Sequence, residues 1–108
     1  MMKYTCLLVF CLSVIPVIGF AESRQDSLWK AWNNPSVADT NRLQAIQSLA
    51  WPMLNVNLDS AILLANLQLD YARKVKSRKW EAKALYNIAT ANYYKGNLPV
   101  AFTMYKQS

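Results

Sequence analysis

Beyond residue 21 the chain contains one glycine, Gly96, and three prolines, Pro35, Pro52 and Pro99. Turn residues this scarce, without alternating polar and apolar runs, leave helices joined by short loops as the available architecture. Four or five helices are expected. Asp26-Ser27 caps a short one carrying Leu28, Trp29 and Trp32, which ends at Asn33-Asn34-Pro35. Asp39-Thr40 caps a second, whose Leu43, Ile46, Leu49 and Ala50 recur at spacings of three and four and so share one face. Pro52 weakens or ends its last turn. Asp59-Ser60 opens the third, from Ala61 to about Lys76, with Ala61, Leu64, Ala65, Leu69 and Ala72 on one side; Leu58, Ile62 and Leu67 widen the stripe. The fourth runs from about Trp80 to Tyr94, with Ala84, Leu85, Ile88, Ala89 and Ala91 apolar. Lys95-Gly96-Asn97 is a tight connection in which Gly96 takes the positive φ of a helix stop. Pro99 stands where a first helical residue belongs, and the fifth helix follows from Val100.

The front of the chain is different. Met1 to Lys3 is a short basic start, and Tyr4 to Ile18 is apolar except for Thr5, Ser13 and Pro16. Gly19-Phe20-Ala21 then places small residues where a signal peptidase needs them. Residues 1–21 therefore read as a secretory signal. The rival reading is a retained anchor, against which stands the length: a spanning helix wants about 20 apolar residues. The expected location is exported, periplasmic or extracellular, with membrane anchoring as the alternative. A lipidated Cys11 is disfavoured because Phe10 precedes it rather than a small residue.

Both cysteines, Cys6 and Cys11, lie in that signal, and the chain has no histidine. This excludes a disulfide in the exported part, a Ser-His-Asp or Cys-His nucleophile and a Cys/His zinc cluster. The acids Glu22, Asp26, Asp39, Asp59, Asp70 and Glu81 are spread singly, with no pair placed for general acid–base work. The expectation is a non-enzymatic segment without cofactor or metal. The net charge is +6; losing Lys3 with the signal leaves 11 basic and 6 acidic residues, or +5. For an exported protein this favours acidic partners, anionic lipid or acidic glycans over nucleic acid.

The small residues carry the sharpest information. Two antiparallel helices pack closely where one offers alanine or glycine to the other. From Ala82 to Ser108, Leu85 is followed by Ile88-Ala89, then Gly96 in a turn, then Ala101 and, four residues on, Tyr105. This series resembles the tetratricopeptide-repeat (TPR) signature of a large residue, a Leu–Gly-like pair, aromatics, and an Ala-x3-aromatic element. Asn92 stands at the usual tyrosine position, with Tyr93 and Tyr94 displaced after it, and Ser108 stands where alanine is usual. Ile46, Leu49 and Ala50, with Ala61 and Ala65, resemble a degenerate earlier copy. Ala61 and Ala101 are 40 residues apart by subtraction, against a standard period of about 34. A longer third helix and the Lys76-Ser77-Arg78-Lys79 joint account for the excess.

The resemblance implies an all-α, right-handed solenoid of antiparallel helix hairpins. Residues 22–39 form a leader with a short capping helix, 40–78 a degenerate helix pair, and 79–108 a repeat incomplete at its end. Since about three repeats make a stable array, the chain reads as the front of something longer. In overall arrangement it is similar to the N-terminal periplasmic TPR sensor regions of bacterial membrane signalling proteins. Those precede an adenylate or guanylate cyclase, histidine kinase or DNA-binding output, none of which is present. TPR arrays hold peptides or proteins on the inner face of each repeat's first helix. Carried over by position, that face is Lys83, Tyr86, Asn87, Thr90 and Tyr93 in the second repeat, and Gln44, Gln47 and Trp51 in the first. An asparagine amide both donates to and accepts from a peptide backbone. The competing reading is an ordinary solvated helix face.

Arg73, Lys74, Lys76, Arg78 and Lys79 form the densest basic run. Cations at a helix C-terminus complement its dipole; a membrane surface or an anionic partner is the other use for them. Trp29, Trp32 and Trp51 at helical spacing are expected to pack in the core, Trp29 and Trp32 covering the open end of the first repeat. Tyr86, Tyr93, Tyr94 and Tyr105 are likewise expected mostly as packing residues.

Overall fold

The computed structural model describes residues 23–108. The signal or anchor expected over residues 1–21 lies outside the described residues. Five α-helices and no strand are found among those described: α1 Arg24–Asn33, α2 Asp39–Met53, α3 Leu58–Lys74, α4 Arg78–Tyr94 and α5 Leu98–Gln107. The described part of the protein is all-helical. None of its described helices is long and apolar enough to cross a membrane.

The helix starts fall one to three residues earlier than the sequence suggests. Ser23, Asn57 and Ser77 are the N-caps of α1, α3 and α4, accepting from the backbone N–H groups of Asp26, Ser60 and Trp80. A side-chain oxygen three residues ahead of an orphan N–H reaches it. Asp26, Asp39 and Asp59 instead lie inside the first turn, where a carboxylate meets the positive end of the helix dipole. Ala38 precedes α2 without any side-chain cap, and Pro99 is preceded in α5 by Leu98. At their far ends α3 and α4 stop alike. Lys76 and Gly96 turn left-handed at φ 59° and 84°. The next residue's N–H then reaches back five positions, Ser77 to Ala72 and Asn97 to Asn92. Gly96 does this as expected; Lys76 does it with a Cβ.

Contacts along the helices fix their directions. Leu43 near the start of α2 packs with Ala72 near the end of α3 and Trp80 near the start of α4. At the opposite end Leu54, just past α2, packs with Ala61 of α3 and Ala91 of α4. Helices α2 and α4 thus run parallel, with α3 antiparallel to both. Two ion pairs repeat the pattern, Arg73–Glu81 at one end of α3–α4 and Lys95–Asp59 at the other. Between the ends, Ala65, Leu69, Ala84, Leu85 and Ile88 form the middle layer, which Met104 of α5 joins. The alanines are what permit this: Ala65, Ala72, Ala84, Ala89, Ala91 and Ala101 have no exposed surface. Helix α1 lays Leu28, Trp29 and Trp32 against Ile46, Leu49, Ala50 and Leu64, so the first two tryptophans cover that end of the core.

The expectation of core packing fails for Trp51, which is 44 % exposed, and for Tyr86, Tyr93 and Tyr94, which are about half exposed. The inward face of α4 is already filled by Ala84, Leu85, Ile88 and Ala91, leaving the intervening aromatics outside. Leu67, placed in the α3 stripe from the sequence, is also exposed. Trp80, expected only to begin a helix, is buried instead.

Candidate functional site

Because α2 and α4 run parallel on the same side of α3, their side chains meet across a shallow furrow. Gln47 and Trp51 come from α2, one turn apart; Lys83, Tyr86 and Asn87 come from α4. They enclose a cleft of about 450 Å³, with Ser108 at the end of α5 also on its wall. Five of the eight residues inferred for the groove are therefore brought together.

The other three are not. Gln44 is exposed and its amide donates to Ser48 of its own helix. Thr90 is buried; its hydroxyl donates to the carbonyl of Tyr86 and lies 3.1 Å from the Tyr105 hydroxyl. That places it behind the wall, where it fixes α5 against α4. Tyr93 is exposed against Tyr94, with ring centroids 6.0 Å apart, and does not reach the cleft. Its position, two turns beyond Tyr86, carries it past the end of the furrow.

Asn87 plays a different part from the one inferred. It is 4 % exposed, and its Nδ2 donates to Gln47 Oε1 at 2.7 Å and to Gln68 Oε1 at 2.8 Å. Gln68 closes the triangle, donating from Nε2 to Gln47 Oε1 at 2.8 Å. Three helices are thus tied by three amides, and no buried side-chain nitrogen or oxygen among the described residues lacks a partner. Both N–H groups of Asn87 are used internally, so it forms the floor of the cleft and is not a free peptide-gripping amide. Gln68, fully buried, escaped the sequence reading because glutamine on a helix reads as surface.

The aromatics form the wall. Trp51 stacks on Tyr86 at 6.2 Å between centroids and 16° between planes, and Tyr86 continues to Tyr105 at 5.5 Å. Trp51 and Tyr86 have nearly half their surface open to solvent. Lys83 supplies a cation; its Nζ lies 5.4 Å from the centroid of the buried Trp80 ring, and that of Lys79 lies 5.9 Å away. The basic run Arg73, Lys74, Lys76, Arg78 and Lys79 occupies the α3–α4 connection, outside the cleft, with Arg73 held by Glu81 at 3.0 Å.

A second cleft, of about 480 Å³, opens on the other side of Trp51 between α1 and α2. Leu28, Leu49, Pro52 and Met53 give it an apolar lining, Arg24 adds a cation, and Gln47 and Trp51 belong to both clefts. Among the described residues no three His, Cys, Asp or Glu side chains gather as metal ligands. Comparison with protein-family models, with curated proteins and with solved structures gives no match. The geometry of the clefts is what bears on function.

Proposed function

We propose that the protein is a TPR-like interaction module: two stacked helix hairpins, α2–α3 and α4–α5, that hold a peptide segment of another protein between α2 and α4. The alternation of helix direction, the alanines at the helix crossings and the short connections support the stacked-hairpin reading. The observation that carries the binding role is the Trp51–Tyr86 pair, stacked and half exposed over the amide floor of Gln47, Gln68 and Asn87. Rigid aromatic rings present large contact area at low entropy cost and dominate binding energy at such surfaces. On this reading the segment carries no catalytic step and acts after export. A role as the sensing end of a larger signalling protein is compatible with the same site.

The test is binding of the chain to a peptide array, followed by titration of the strongest peptides against Trp51→Ala and Tyr86→Ala. Each substitution is expected to weaken binding by about 1–2 kcal/mol, as truncation of an interface aromatic does. Helix content measured by circular dichroism should stay unchanged, since both rings lie outside the core. Peptides that bind both variants as well as the unmodified chain would overturn the reading.

A further inference from the structure

The two clefts share a wall. Trp51 and Gln47 border both, so a chain lying across the α2–α4 furrow needs only to pass Trp51 to meet the α1–α2 cleft. The two clefts differ in chemistry. That between α1 and α2 is walled by Leu28, Leu49, Pro52 and Met53; that between α2 and α4 by amides, Tyr86 and Lys83. Arg24 borders the first and Lys83 the second, and among the described residues lining the two there is no Asp or Glu side chain. Two acids neighbour lining residues in the chain: Asp26 stands in the first turn of α1 beside Gln25, and Glu81, beside Ala82, is held by Arg73.

We propose that the two clefts form one bipartite site for an extended acidic peptide, which seats a bulky aliphatic or aromatic side chain between α1 and α2 and lays its carboxylates toward Arg24 and Lys83. The inference rests on the peptide-binding reading above and adds the ligand's chemistry and a second subsite. Helix α1 then does more than cover the core: it supplies one wall of the anchor cleft. The volume of about 480 Å³ admits a leucine or phenylalanine side chain together with the backbone that bears it. A basic peptide would bring its cations against Arg24 and Lys83 with no Asp or Glu side chain on either wall to receive them, so charge complementarity selects against it.

Three pools of acetylated and amidated octapeptides test this by titration calorimetry at low and moderate salt. The first carries two Glu and one Leu or Phe in a Gly/Ser background. The second replaces the Leu or Phe by Gly. The third replaces the two Glu by Lys. The first pool is expected to bind at least tenfold more tightly than either of the others, with an affinity that falls as salt rises. Ser48→Phe, which fills the α1–α2 cleft from a partly exposed position, should erase the preference of the first pool over the second while leaving the second pool's binding intact. Equal binding of the first two pools, or a preference that survives Ser48→Phe, overturns the anchor cleft and leaves the groove standing. Equal binding of the first and third pools overturns the acidic ligand. No binding by any pool overturns the groove along with its extension.

Discussion

At Lys76 the backbone takes a left-handed conformation that a residue with a Cβ adopts at a cost of about 1–2 kcal/mol. Gly96 meets the same requirement at the end of α4, without that penalty and with nothing within 4 Å of where a Cβ would project. The two positions therefore predict opposite responses. Lys76→Gly should stabilise the protein by about 1 kcal/mol, and Gly96→Ala should destabilise it by a similar amount. Urea titrations would show this as midpoints moving in opposite directions at an unchanged slope. The glycine of this pair was legible from sequence and the lysine was not, because only glycine announces positive φ by its identity. Gln68 was missed for a related reason. Its polarity says surface, while its position says core: with Ala61, Ala65 and Ala72 it falls at i, i+4, i+7 and i+11 on one face of α3. Asn87 likewise lies between the buried Ala84 and Ala91. A polar residue in register with a stripe of alanines was the available signal.

Among the elements, α2 and α3 are joined at one end by polar chemistry as well as by packing. The Tyr71 hydroxyl donates to the Asp39 carboxylate and accepts from Arg42 Nη1 at 2.9 Å. Arg42 reaches on to the carbonyl of Trp32 at 2.9 Å and lies over the Tyr71 ring, which brings in the end of α1. The bond to Asp39, with a smaller contribution from desolvation, raises the Tyr71 pKa above its ordinary value near 10, against the opposing pull of Arg42. The folded state therefore keeps this proton where the unfolded chain has lost it. The stability so contributed is complete below pH 10 and drains away as pH climbs past 10 toward the raised value. Unfolding free energies measured from pH 8 to 11 should fall more steeply for the unmodified protein than for Tyr71→Phe; parallel curves would show that the hydroxyl is not coupled to folding. The apolar stripes that pack α2, α3 and α4 were legible because spacings of three and four survive any choice of partner. The tie through Tyr71 was not, since it joins residues some thirty positions apart whose meeting depends on the hairpin.

Over the whole molecule, packing follows chain order. Helix α1 packs mainly on α2 and α5 on α4; out of sequence, α2 meets α4 and Trp32 of α1 meets the Tyr71 ring of α3 edge-on. Burial is graded to match: α1 has no fully buried residue and α5 has only Ala101, whereas α4 has eight. In such a near-linear stack stability is a sum over neighbours, and the ends open first. Native-state hydrogen exchange should find the slowest amides between Ala84 and Ala91 and the fastest helical ones in α1. Uniform protection from α1 to α5 would mean that the helices unfold as one unit.

A stack of this kind has a weakness of its own making. Alanines repeated along facing helices offer much the same surface after a slide of one turn, about 5.4 Å, so apolar packing alone leaves alternative alignments close in energy. The triangle of Gln47, Gln68 and Asn87 breaks that near-degeneracy. Its three bonds exist in one alignment of α2, α3 and α4, and any slide would leave several buried amide groups without partners, at about 1–3 kcal/mol apiece. It works as a detent in a sliding mechanism. The walls of the cleft above it keep a fixed spacing because the floor beneath them has only one notch.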